Sequence, residues 1–340
     1  MGAVFRIGIN WKAPGGRQRP SLADRRWSLA AQDPTSRLRC GSLEACDRAR
    51  IPYRLWAAEG NTRALVVLLH GAFDYSAAFD EMGPHLAQRG YTAIAFDQRG
   101  FGGTVSRGRW RGKARMVRDV AEVAAFLRGR YGESLPLFVI GESMGAAVAV
   151  LATAQYPGLN VAGLVLAAPG ALAGMIRRTI VAALLRALRW TAPVGAVVCE
   201  RLSGRELTAA AAIRLLVDPL ILRMVRPNLM FGLGGLAQDA VDEAPAVHVP
   251  TLTMAGTKDD FVRIGCMKQL YRRFAGPKEW ATFEGGPHLL LHWQHGDRVV
   301  ARAIDWMERR MQLSTQAQGD GAKTDLRYAR ISAMTARRPE

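Results

Sequence analysis

Between residues 64 and 283 one unit recurs along the chain: a short apolar run, a loop marked by Gly, Asp or Pro, then an amphipathic stretch. The runs are Ala64 to Leu69, Thr92 to Phe96, Leu137 to Ile140, Gly163 to Ala167, Thr251 to Ala255 and Glu279 to Phe283. Helical periodicity falls near 76–89, 116–131, 144–156 and 263–275, with a last stretch at 297–311. Runs this short and this apolar read as strands buried on both faces. Strands that alternate with helices form a mostly parallel sheet, because each crossover helix returns the chain to the same end of the sheet. The spacing therefore predicts an α/β fold, with a mostly parallel central sheet and helices on both faces. In such sheets the ligand sits beyond the carboxyl ends of the strands.

One interval breaks the rhythm. From Pro169 to Pro245 the chain shows helical periodicity and no good strand, which predicts a helical insertion that leaves the sheet and rejoins it at Val249-Pro250-Thr251. Its first helix sets Ile176, Ile180, Leu184 and Leu188 at four-residue steps, with Val181 and Leu185 alongside and Arg178, Arg186 and Arg189 on the opposite side. That is an amphipathic helix with a basic face. The expected organisation is a poorly ordered basic segment over 1–45 and a core over 46–169 and 246–312. A helical lid over 170–245 interrupts that core, and a disordered tail follows over 313–340.

Net charge is +17, which on its face suggests nucleic acid or an anionic surface. All of it resides in residues 1–55, 104–130 and 309–340, while the rest of the chain is neutral overall. Charge gathered in two ends and one loop-helix segment fits attraction to anionic lipid or polyanions, or solvated tails, better than a base-reading surface. No specific nucleic-acid partner is expected. The first 30 residues mix Arg, Pro and Gly without the apolar segment of a secretory signal. Cys40, Cys46, Cys199 and Cys266 lack metal-ligand spacing and read as free thiols in a reducing compartment. A cytoplasmic location, with possible peripheral membrane contact, is the expectation. No dinucleotide fingerprint, metal cluster or phosphate-cradling loop is present, so no cofactor is expected.

Chemistry concentrates at Gly141-Glu142-Ser143-Met144-Gly145, which follows an apolar run and precedes an Ala/Val-rich stretch. A Gly-x-Ser-x-Gly sequence between strand and helix holds its serine on a tight turn, lifts the hydroxyl out of the sheet, and lets strand and helix cross closely at the glycines. The new helix directs its free N–H groups beside that hydroxyl. Ser143 is the candidate nucleophile. A serine hydroxyl needs a base, and the base needs an orienting carboxylate. On this architecture they follow in the order acid, then His, each past a strand end. Asp259, in Gly256-Thr257-Lys258-Asp259-Asp260, and His288, in Gly285-Gly286-Pro287-His288, satisfy that order. Asp260 is the adjacent alternative for the acid. His292 and His295 lie four and seven residues beyond His288, where packing or solvent exposure is expected. The oxyanion donors expected are the backbone N–H of Met144 and that of Ala72, in His70-Gly71-Ala72-Phe73, with Phe73 as runner-up. His70 reads as a loop-fixing residue.

Together Leu69-His70-Gly71-Ala72, Asp97-Gln98-Arg99-Gly100-Phe101-Gly102, Gly141 to Gly145, Gly256-Thr257-Lys258-Asp259 and Pro287-His288 resemble the α/β-hydrolase superfamily. More narrowly they resemble its monoacylglycerol lipase and lysophospholipase-like branch, grouped under the serine aminopeptidase S33 domain. The resemblance spans roughly 48 to 311. It implies a Ser143, Asp259, His288 triad, an oxyanion hole from Ala72 and Met144, and a lid over an acyl pocket. It also implies a serine hydrolase of carboxylic esters with one acyl chain, such as monoacylglycerol or lysophospholipid, acting through an acyl-enzyme. Two further readings stand beside it: amide or peptide-terminus hydrolysis on the same triad, and a peripheral membrane-binding protein on a silent hydrolase scaffold. Glu142 stands where many relatives have His, and Ala146 where a third glycine is common. The Asp218-Pro219-Leu220 segment resembles a lid element of this branch.

Overall fold

The computed structural model describes residues 38–171, 206–313 and 316. Eight strands lie among them: β1 (Leu38–Glu44), β2 (Arg50–Trp56), β3 (Ala64–Leu69), β4 (Tyr91–Phe96), β5 (Leu137–Glu142), β6 (Val161–Ala167), β7 (Thr251–Gly256) and β8 (Lys278–Phe283). They form one sheet in the order β1-β2-β4-β3-β5-β6-β7-β8. β1 and β2 form an antiparallel pair, β2 joins β4 antiparallel, and every pairing from β4 to β8 is parallel. The six runs singled out in the sequence are β3 to β8.

The helices are α1 (Met82–Gln88), α2 (Lys113–Tyr131), α3 (Met144–Gln155), α4 (Ala209–Val217), α5 (Pro227–Glu243), α6 (Ile264–Arg273) and α7 (296–313). Alternation along β3 shows how they sort. Leu65, Val67 and Leu69 join an apolar cluster with α2, α3 and α5, while Ala64, Val66 and Leu68 join another with α1 and α7. Successive strand side chains point to opposite faces, so a strand apolar throughout needs a helical layer on each side. Every residue of β3 is buried, and each fully buried Leu or Val contributes about 1.5–3 kcal/mol.

Leu38–Glu44 form β1, inside the stretch that the sequence assigns to a poorly ordered segment. Its residues pair with β2 from Leu38 opposite Trp56 to Glu44 opposite Arg50. The remainder of that segment, residues 1–37, lies outside the described residues, as do the tail beyond 316 and the expected lid helix carrying Ile176 to Leu188. α5 falls within the expected insertion, yet it packs on α3 and α6 and contributes Leu229, Leu236, Ala240 and Val241 to the same apolar cluster. Those residues belong to the layer over the sheet. Cys40, Cys46 and Cys266 are free thiols, and Cys199 lies outside the described residues. No helix among the described residues is long and apolar enough to cross a membrane.

Candidate active site

Ser143 occupies the single residue between β5 and α3, with φ 52° and ψ −111°. A non-glycine residue with positive φ is strained, and such strain persists only where the surroundings hold it. Here the surroundings are close. A Cβ on Gly145 would overlap the Leu69 carbonyl, and one on Gly141 would overlap the backbone of Gly145. Only glycine at both positions lets α3 start this near β3 and β5. Ser143 N–H donates to the Ala167 carbonyl at 2.9 Å, and its own carbonyl accepts from Gly170 N–H at 2.9 Å, which fixes the turn from behind.

Two loops at the carboxyl ends of β7 and β8 meet this serine. His288 Nε2 lies 2.8 Å from Ser143 Oγ, and His288 Nδ1 lies 2.7 Å from Asp259 Oδ2. A carboxylate can only accept, so Nδ1 carries the proton and Nε2 accepts from the serine hydroxyl. Asp259 Oδ1 accepts the backbone N–H groups of Phe261 at 2.9 Å and Val262 at 2.8 Å, so both carboxylate oxygens are bonded. Its side chain is 1% exposed. The Phe261 ring stacks on the imidazole, centroids 5.2 Å apart. Asp260, the neighbouring carboxylate, is exposed, and the bond to His288 Nδ1 comes from Asp259. His292 is buried against Glu142, and His295 packs edge-on against Trp293.

The loop after β3 lies on the other side of the serine. A Cβ on Gly71 would come within 3.6 Å of Ser143 Cβ, so the loop passes directly over Ser143. Phe73, next after Ala72, has φ 72°, and its carbonyl accepts from Leu222 N–H at 2.9 Å. The Ala72 amide has no acceptor among the described residues. The Met144 amide is the first of α3, one of the N–H groups that a helix start leaves without an internal partner.

His70 fixes this loop. Its Nδ1–H donates to the Gly71 carbonyl at 2.8 Å, and its Nε2 accepts from Gln98 N–H at 2.9 Å. With both nitrogens engaged and burial pushing its pKa down, it is a neutral strut with no lone pair free for a substrate. The Asp97 to Gly102 motif has a structural purpose in the same place. Gln98 Nε2 donates to the His70 carbonyl at 2.7 Å, and Asp97 accepts the N–H groups of Ser76 at 2.9 Å and Gly103 at 2.7 Å.

Besides the Leu222 N–H to Phe73 carbonyl bond, two side-chain pairs that the sequence does not reveal fasten α4 and the segment that follows it to this loop. Arg214 of α4 pairs with both oxygens of Asp74, and Tyr75 Oη–H donates to Asp218 Oδ2 at 2.8 Å. Asp218 Oδ1 also accepts from Leu220 N–H at 2.9 Å, so the Asp218-Pro219-Leu220 element anchors this segment beside the loop after β3. Both pairs join residues more than 100 positions apart in the chain, and no local spacing marks them. Among the described residues no group of three or more His, Cys, Asp or Glu side chains could hold a metal ion.

A model of the family described as serine aminopeptidase, S33 matches residues 60–293. Over 237 residues, 66% of this chain and 81% of the relative, the sequence is 27% identical to a monoacylglycerol lipase of Mycolicibacterium smegmatis. It is 32% identical to human monoglyceride lipase over 127 residues, 35% of this chain and 39% of that one. A crystal structure of monoacylglycerol lipase from Paleococcus ferrophilus superposes with a TM-score of 0.65 at 20% identity, covering 76% of this chain and 99% of that one. A soluble variant of monoglyceride lipase from Saccharomyces cerevisiae, in complex with a substrate analogue, gives 0.67 at 18% identity over 82% and 97%. At such identities the two structures speak for the fold, and the family model, matching well over half of the chain, speaks for descent. The chain belongs to the serine aminopeptidase S33 family of α/β-hydrolases, in its monoacylglycerol lipase-like branch.

Proposed function

We propose that this ester hydrolase cleaves carboxylic esters carrying a single acyl chain, such as monoacylglycerol or lysophospholipid, through a covalent acyl-enzyme on Ser143. The observation that carries the reading is the continuous hydrogen-bonded path from Ser143 Oγ through His288 to Asp259. In this path His288 takes the hydroxyl proton as Ser143 attacks the ester carbonyl, and Asp259 stabilises the imidazolium that forms. The amides of Ala72 and Met144 receive the developing oxyanion; each such donor is worth about 10²–10³ in kcat. His288 then protonates the leaving alcohol. Water, activated by the same imidazole, attacks the acyl-enzyme and frees the acid.

The single-chain preference rests on the relatives named above and on the site's rim. α4 sits against the oxyanion loop and leaves Ile213, Leu216 and Val217 exposed, and Phe261 of the His288 stack is also open. An apolar entrance of this kind suits an acyl chain delivered from a lipid surface. Amide and peptide-terminus hydrolysis ranks below it, because a free amine calls for an unengaged carboxylate. Residues 171–240 hold four acidic side chains against nine arginines, and among the described ones Asp218 bonds to Tyr75, Glu206 pairs with Lys258 and Asp239 with Lys113.

A panel of p-nitrophenyl esters of increasing chain length, 1-monoacylglycerols, lysophospholipids and aminoacyl p-nitroanilides, assayed with and without micelles, tests the reading. Single-chain esters should be hydrolysed fastest. Preferential cleavage of the anilides would overturn the substrate assignment. Sedimentation with vesicles containing anionic lipid tests peripheral contact, which should weaken as salt rises.

A further inference from the structure

Glu142 is a buried carboxylate that the chemistry above leaves unused. It ends β5, immediately before Ser143, and is 1% exposed. One oxygen, Oε1, accepts the backbone N–H of Leu291 at 3.0 Å, and Oε2 lies 3.4 Å from Nε2 of His292. That imidazole is itself buried, and its Nε2 has no properly aligned hydrogen bond among the described residues. Leu290–His292 form a 3₁₀ turn that begins two residues after His288, and Leu290 N–H closes it onto the His288 carbonyl at 2.9 Å.

The side chain of Glu142 therefore spans from the backbone that carries the nucleophile to the backbone that carries the base. Burying a carboxylate is unfavourable unless it is bonded, and a packing role at this position would be met as well by an apolar residue. What the carboxylate adds is a fixed link between two loops drawn from β5 and β8, which are not neighbours in the sheet. Asp259 orients the imidazole from the β7 side. Glu142 ties the turn after His288 to the serine's own strand.

We propose that Glu142 is a positioning residue, which sets the reach between Ser143 Oγ and His288 Nε2 by pinning the Leu290–His292 turn to the end of β5. The inference rests on the Ser143 reading above. Geometry of this kind acts on the chemical step, where a displacement near 1 Å costs about 10²-fold, and leaves ground-state binding of the ester alone.

The test uses the full chain with Glu142→Ala, Glu142→Gln and Glu142→Asp, and Ser143→Ala as the control. A fluorophosphonate titration counts competent sites, so that kcat for a soluble p-nitrophenyl ester is expressed per labelled serine and folding losses cancel. Glu142→Ala should lower kcat by about 10- to 100-fold with KM within about twofold. Glu142→Gln keeps a carbonyl acceptor for Leu291 N–H and should recover most of the loss. Glu142→Asp keeps the charge, cannot reach Leu291, and should behave like Glu142→Ala. If Glu142→Ala does not fold, the Gln and Asp variants decide alone. Wild-type kcat in the Ala or Asp variant, a change in KM only, or a Gln variant as slow as the Asp variant would overturn the proposal. Hydrolysis retained by Ser143→Ala would instead sink the serine mechanism, whatever the Glu142 variants do.

Discussion

Arg214 on α4, itself half-buried, grips both carboxylate oxygens of the buried Asp74 in the loop over Ser143, 140 residues away in the chain. Asp74 lies two residues past Ala72, so the pair couples the placement of α4 to the loop that carries the proposed oxyanion donor. Burial pushes the Asp74 pKa up, but the charge and hydrogen bonds of Arg214 outweigh it and hold the carboxyl below the usual range.

Removing the guanidinium should therefore have a distinctive pH signature. In the wild type Asp74 binds its proton less readily when folded than when unfolded. Its contribution to stability is then present above the unfolded pKa near 4 and disappears as pH falls through the lower folded value. Arg214→Leu leaves a buried carboxylate without its partner, at a cost of about 3–5 kcal/mol near neutrality. The sign then reverses: the unpaired carboxyl holds its proton more tightly when folded, so the deficit shrinks as pH drops from 7 toward 4. Urea midpoints at several pH values for both proteins check this. A deficit that is constant with pH would count against the pairing as the cause.

Asp259 and Asp260 are adjacent in sequence and opposite in environment, the first buried against His288 and the second exposed. In Asp259→Asn the N–H groups of Phe261 and Val262 retain the amide oxygen, so the NH2 faces His288 Nδ1 and reverses its tautomer, which should lower kcat by about 10²–10⁴-fold. Asp260→Asn is a surface change and should leave kcat within about twofold. Steady-state kinetics on a soluble ester separates them, and equal effects would contradict the assignment.

The glycines offer a matched pair. At Gly145 a Cβ would meet the carbonyls of Leu69 and His70, so Gly145→Ala should displace the turn that carries Ser143, destabilising the fold by about 1–3 kcal/mol and abolishing most activity. Gly129 lies near the end of α2, and a methyl group there would project into open space, with no atom within 4 Å. Gly129→Ala should raise stability by roughly 0.5–1 kcal/mol and leave kinetics unchanged. Thermal melts and ester kinetics report both.

What is legible in the sequence follows from how local each signal is. β3 to β8 announce themselves as apolar runs because both of their faces are covered. β1 and β2 do not. Arg50, Pro52 and Arg54 interrupt the pattern of β2, and Arg54 is buried only because it forms a two-pronged pair with Asp80, at 2.7 and 2.8 Å. The periodicity of α5 continues that of the preceding residues and so reads as insertion; only its packing on α3 places it in the layer over the sheet. At the site, the elbow glycines and the strand-end loops of Asp259 and His288 are short-range features, and the structure brings these residues together. The contacts of Glu142 with Leu291 and of Asp74 with Arg214 join segments more than 100 residues apart, and no spacing rule connects them.

Everything proposed for the chemistry depends on Ser143 being an activated nucleophile. Treating the protein with a fluorophosphonate and locating the adduct by mass spectrometry reads that property at the residue itself. One phosphonylation per chain is expected, confined to the peptide bearing Ser143 and suppressed in His288→Ala. No adduct, or an adduct on another residue with Ser143 unmodified, would contradict the mechanism.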